Sequence, residues 1–182
     1  MSRRYRFDLA SDDPQRVLPD KIMVGMKPSE TENHILLKAF GFVLFYRDRM
    51  EIEQRVHRDD ILYVPDLVQF NFMLDVAFWG ECGDCAVDKL DRLAVKVPSA
   101  EIWIIKKSWL EAEELLRAMK KAGLRKNRYH ITAFRGEDFE ELKSLLQMKN
   151  SIYLCSVDWD MKTVQMDFNG LWFDLPVLHE TF

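Results

Sequence analysis

The sequence predicts a single-domain α/β fold, and three observations carry that expectation. Stretches of strand-like alternation and stretches of helical periodicity take turns along the chain. Two helix starts are marked by a Ser followed three residues later by a Glu, at Ser29/Glu32 and Ser108/Glu111. The 182 residues are 48% hydrophobic, enough for one sizeable core, and no repeat, low-complexity tract or Pro/Gly/Ser linker divides them.

The elements follow in order. Residues 4–9 and 21–26 read as strands joined by a polar loop with Asp12, Asp13 and Pro14. The Ser29/Glu32 capping box then opens a helix over 29–46, with Ile35, Leu36, Ala39, Phe40, Val43 and Leu44 at helical spacing. Residues 51–57 read as a strand. In 66–79 Val68, Phe70, Phe72, Leu74, Val76 and Phe78 alternate onto one face. A helix is expected over 86–95 and a buried strand over 102–105. Ser108 starts a helix with Trp109, Ala112, Leu115, Leu116 and Met119 on its apolar face, ending near Gly123. Residues 129–134 read as a strand. Residues 137–148 read as a helix carrying Phe139, Leu142, Leu145 and Leu146. Segments 152–158, 163–168 and 171–175 form a strand meander with turns at Asp160 and Asn169-Gly170.

Composition narrows the function classes. Five Trp and 12 Phe mark a packed globule rather than a disordered segment. Charged residues are 31% and the net charge is −4, so nucleic-acid binding would need a local basic patch. Met1–Asp8 has basic residues with no apolar run after them, so no signal peptide is expected. No apolar stretch is long enough to span a membrane. Three cysteines, an odd number, predict reduced thiols and a cytoplasmic location.

Three motifs stand in a fixed order: Pro28-Ser29-Glu30-Thr31, Pro65-Asp66-Leu67 and Trp79-Gly80-Glu81-Cys82-Gly83. Lys89-Leu90 and Arg92 follow on the next helix. In this order and spacing the chain resembles the YaeQ family over nearly its whole length. The resemblance implies a restriction-endonuclease-like PD-(D/E)XK core. That means a mixed sheet flanked by helices, here with extra N- and C-terminal strands. It also implies a metal-dependent, nuclease-like phosphodiester hydrolase using Mg²⁺ or Mn²⁺ on nucleic acid. Under it Asp66, Glu81 and Glu30 are the metal ligands, and Glu30, Asp66, Glu81 and Lys89 form the catalytic set. The lysine expected two places after Glu81 is replaced by Gly83. Lys89 is the candidate for the displaced lysine, because four methylenes from the next helix can span that gap. Arg92, one helical turn further, is a candidate phosphate clamp.

Chain geometry sets a condition on this reading. A continuous strand over 66–81 would hold Asp66 and Glu81 about 50 Å apart. A hairpin folding back near Asn71–Leu74 would bring them together, and that hairpin is the expectation. Two further readings stay open. One is a catalytically inactive relative that binds nucleic acid or a protein partner. The other is a thiol protein using Cys82-Gly-Asp-Cys85, which sits between an apolar strand and a helix. Cys155, His34, His57, His130 and His179 are scattered and complete no second metal pair. His130 is expected at a strand's core or edge, and His57 in a loop. The basic groups Lys106-Lys107, Lys120-Lys121 and Arg125-Lys126-Asn127-Arg128 are expected on a solvated face.

Overall fold

A computed structural model describes residues 3–182; what the Met1–Asp8 reading says of Met1 and Ser2 falls outside them. The strands are β1 (Arg3–Ser11), β2 (Lys21–Met26), β3 (Met50–Ile52), β4 (Leu67–Phe70), β5 (Val76–Cys82), β6 (Glu101–Lys106), β7 (Tyr129–Phe134), β8 (Lys149–Asp158), β9 (Thr163–Phe168) and β10 (Leu171–Thr181). The helices are α1 (Glu32–Phe45), α2 (Val87–Lys96), α3 (Trp109–Ala122) and α4 (Gly136–Ser144). The order of strands and helices is the one expected from the sequence.

All ten strands join one mixed sheet, in the order β2-β1-β8-β9-β10-β7-β6-β5-β4-β3. The β5, β6 and β7 strands run parallel, linked by helical crossovers, and β1 runs parallel to β8. The long β10 holds the two halves together. Leu171–Pro176 pair with β9, and Val177–Thr181 pair with β7. Two cores result. One gathers α1 and α4 with residues such as Phe7, Phe134, Phe168 and Leu175. The other gathers α2 and α3 with Val68, Trp79, Ile104 and Ile131.

The α1 helix is buried from Ile35 to Phe45 without a break. A helix that is apolar all round belongs inside a core rather than on a surface. Its close seat on the sheet depends on Gly41. A Cβ there would lie 2.5 Å from Ile105 Cδ1 and 2.9 Å from Leu67 Cδ1. Small size at this point lets α1 approach β4 and β6, and so carries its N-terminal end to the sheet.

The expected hairpin forms. Leu67 pairs with Gly80 and Val68 with Trp79, with a register shift between Gln69 and Phe70. Asn71 builds the turn: its side-chain oxygen accepts the Met73 and Asp75 N–H groups, each at 2.9 Å. Leu74 takes a positive φ of 65°. The turn removes Phe72 and Leu74 from the face they were expected to share. They are 91% and 78% exposed at the tip.

Local corrections have local causes. The Ser29/Glu32 capping box does not form. Lys27–Glu30 is a turn closed by the Glu30 N–H to the Lys27 carbonyl at 3.0 Å, with Pro28 at its second position. Helix α1 therefore starts only after Thr31, which makes no side-chain cap. The 51–57 strand shrinks to β3, because Glu53 turns the chain at φ 55°. The last helix ends at Ser144, and Leu145 and Leu146 pack against the core from beyond it. By contrast, Ser108 Oγ accepts the Glu111 N–H at 3.2 Å as expected, and Gly123 closes α3 in the left-handed conformation.

Candidate functional site

The hairpin brings Asp66 to the end of β5. Its N–H donates to the Gly80 carbonyl at 3.1 Å, and its own carbonyl accepts the Glu53 N–H at 2.9 Å. Its carboxylate accepts the Cys82 N–H at 2.7 Å. Asp66 thus ties β3, β4 and β5 together and fixes where Glu53 stands. Glu30 enters from the turn before α1, where its carboxylate also accepts the Lys27 N–H at 2.9 Å. Carboxylate oxygens of Glu30, Glu53 and Asp66 lie within 4.8 Å of one another.

At the centre of this group sits Lys38, whose side chain is 0% exposed. Its ammonium donates to Glu30 Oε1 and, at 2.7 Å, to Glu53 Oε1, and lies 3.7 Å from Asp66 Oδ1. Burial alone would lower the Lys38 pKa. The hydrogen bonds to Glu30 and Glu53, with the nearby Asp66 charge, reverse this and raise it. Lys27 holds Glu53 Oε1 from the outer side at 2.6 Å. Burial pushes the Glu53 carboxyl up, but the two ammonium groups overcome this and bring it below its ordinary value.

Glu81 projects from β5 into a neighbouring arrangement. Its carboxylate accepts the Trp79 indole N–H at 2.7 Å and the Lys89 ammonium at 2.7 Å. Lys89 therefore reaches across from α2 to the end of β5. Arg92, one turn on, is exposed and lies 3.5 Å from the Tyr63 hydroxyl. Burial raises the carboxyl pKa of both Glu81 and Asp66. Lys89 and Trp79 oppose this at Glu81; the Cys82 N–H and Lys38 oppose it at Asp66.

Glu30 and Asp66 therefore converge, with Glu53 as their third partner, while Glu81 is engaged by Lys89 and Trp79 beside them. Glu53 and Lys38 were not singled out from the sequence. Lys38 had a signal there: it is the only charged residue in the run Ile35–Phe45. Glu53 had none, because its position depends on backbone pairing with Asp66.

The structure explains Gly83. Strand β5 ends at Cys82, and Gly83 has φ +84°, a conformation side chains rarely adopt. A Cβ there would meet His34 Nε2 at 3.1 Å. A lysine at this position would be both strained and obstructed. Lys106 of β6 lies alongside, and its buried ammonium donates to the Gly83 carbonyl at 2.6 Å. This corrects its assignment to a solvated face. In the last basic group, Arg128 donates to the Val97 and Ala100 carbonyls.

The cysteines are free, with Cys82 buried. Burial, with the neighbouring Asp66 charge, pushes the Cys82 thiol well above its ordinary value. Burial and then the Glu81 charge push Cys85 up to about 12. A redox thiol needs the opposite environment. At neutral pH both should react with iodoacetamide far more slowly than free cysteine, which mass spectrometry of timed samples would read. His57 lies in the irregular 53–66 segment, and His130 in β7 stacks on Trp103 at 4.6 Å.

No helix of the described residues is long and apolar enough to cross a membrane. No curated protein matches the sequence. Solved structures share the fold, among them two YaeQ proteins. The YaeQ protein from Xanthomonas axonopodis pv. citri is 19% identical with a TM-score of 0.71, covering 100% of this chain and 99% of that one. The YaeQ protein from Pseudomonas syringae is 19% identical with a TM-score of 0.75, covering 100% and 97%. The family model described as YaeQ protein matches residues 2–167, so the chain belongs to the YaeQ family.

Proposed function

We propose that this protein is a divalent-metal-dependent phosphodiester hydrolase acting on nucleic acid, built on a PD-(D/E)XK core. The observation that supports it is the convergence of Glu30, Glu53 and Asp66 at the end of β5. Hard carboxylate oxygens suit Mg²⁺ or Mn²⁺, and three from separate segments fit the donor set such an ion takes. Glu30, Glu53 and Asp66 would hold the ion, with Glu81 alongside. A bound ion would stabilise charge on the phosphoryl oxygens. The Cys82 N–H fixes the Asp66 carboxylate in place. Lys89 keeps the Glu81 carboxylate oriented and offers an ammonium to an attacking water. Arg92 lies one turn along α2, where it would hold a flanking phosphate.

The test is cleavage of plasmid DNA and of single-stranded DNA and RNA with Mn²⁺ or Mg²⁺, comparing wild type with Asp66→Asn. A metal-dependent rate that falls at least a hundredfold in the variant supports the reading. Equal cleavage by the variant assigns the activity to a contaminant. The second reading, a non-catalytic relative that binds nucleic acid or a protein partner, is favoured by Lys27, Lys38 and Lys89, which already pair with these carboxylates. Under it neither metal gives cleavage of any substrate.

A further inference from the structure

We propose that Lys38 is an internal counter-ion that competes with a divalent cation for the oxygens of Glu30, Glu53 and Asp66. Metal loading then works against the positive charge of its ammonium. This rests on the reading of those carboxylates as metal ligands and adds a control on their loading. The ammonium is hydrogen-bonded to Glu30 and Glu53 and lies 3.7 Å from Asp66, so it faces the oxygens a metal would use. Its methylenes are enclosed in the buried run of α1, which gives the charge no exposed position in this conformation.

Charge accounting shows why this matters. Three carboxylates face two ammonium groups, Lys38 from within and Lys27 from outside. The remaining single negative charge is a weak attraction for a strongly hydrated dication. Removing the Lys38 charge doubles it. The two lysines are also unequal, since Lys27 is 53% exposed and can swing into solvent, whereas Lys38 cannot. Lys38 therefore sets the threshold of metal concentration at which the site fills. It also keeps the three carboxylates converged when no ion is bound.

The experiment is Mn²⁺ titration of the full chain by calorimetry, with the Mn²⁺-induced shift in Tm as a second readout. It compares wild type, Lys38→Met and Lys38→Met/Asp66→Asn. Lys38→Met is expected to bind Mn²⁺ at least tenfold more tightly than wild type and to gain more Tm from it. The double variant should lose that gain. Should Lys38→Met fail to fold without metal, Lys38→Gln keeps hydrogen-bond donors without the charge and takes its place. Equal or weaker binding by the charge-removed variant overturns the proposal, as does absence of binding in all variants. Tight binding by Lys38→Met without cleavage of any substrate sinks the hydrolase reading and leaves this inference standing. Cleavage by wild type that depends on Asp66, with weaker metal binding by Lys38→Met, sinks this inference alone.

Discussion

Lys38→Ala is expected to lower the unfolding free energy by about 3–5 kcal/mol in metal-free buffer, the range for removing one partner of a buried ion pair. The cost arises because the Glu30 and Glu53 carboxylates, 11% and 18% exposed, lose the ammonium between them. Lys89→Ala should cost less. Lys89 is 22% exposed, and the Trp79 indole still donates to Glu81 after its loss. Urea denaturation of the two variants beside wild type measures the difference. Equal costs would mean that Lys38 is not the centre of the network. The pH dependence follows the same residue. Its folded pKa is raised, so its contribution is complete below the ordinary lysine value of about 10.5 and is lost as pH rises through the folded value. Stability should therefore decline on the alkaline side in wild type, with that decline reduced in Lys38→Arg, whose charge persists.

What the sequence made legible was whatever local chemistry decides. The Ser108 cap, the Gly123 stop and the Asn169-Gly170 turn each depend on residues next to one another, and each forms as expected. The Ser29/Glu32 capping box failed because Pro28 commits the preceding residues to a turn. The hairpin was legible from a distance argument, although its turn relies on a single Asn side chain. In the site, the family resemblance carried by the motifs implies Glu30, Asp66 and Glu81, which all stand near the end of β5. Glu53 was hidden because nothing within its own segment marks it. The backbone bond from its N–H to Asp66, with the Lys27 and Lys38 ammonium groups, brings it in. Lys38 was hidden by the apolar pattern around it, which reads as core and draws attention from the one charge it encloses.

Trp79→Ala should be the most damaging core substitution next to the site, costing about 3–5 kcal/mol. Trp79 is 0% exposed, pairs with Val68 of β4 and belongs to the core that gathers α2 and α3, so truncation leaves a cavity and removes a donor at once. The two losses can be separated. Trp79→Phe keeps most of the volume but removes the indole N–H from Glu81 Oε1, and should cost about 1–3 kcal/mol. The same change bears on the site. Burial already raises the Glu81 carboxyl, and the indole N–H is one of the groups opposing that rise. Without it the Glu81 pKa should climb further, which carboxyl ¹³C chemical shifts followed through a pH titration would show. A raised folded pKa means that Glu81 favours folding once protonated and opposes it when ionised, so the Trp79→Phe penalty should shrink as the pH is lowered. A penalty independent of pH would show that the indole acts on Glu81 by packing alone. A penalty that shrinks in acid would tie the stability of this core to the ionised state of a carboxylate beside the proposed metal ligands.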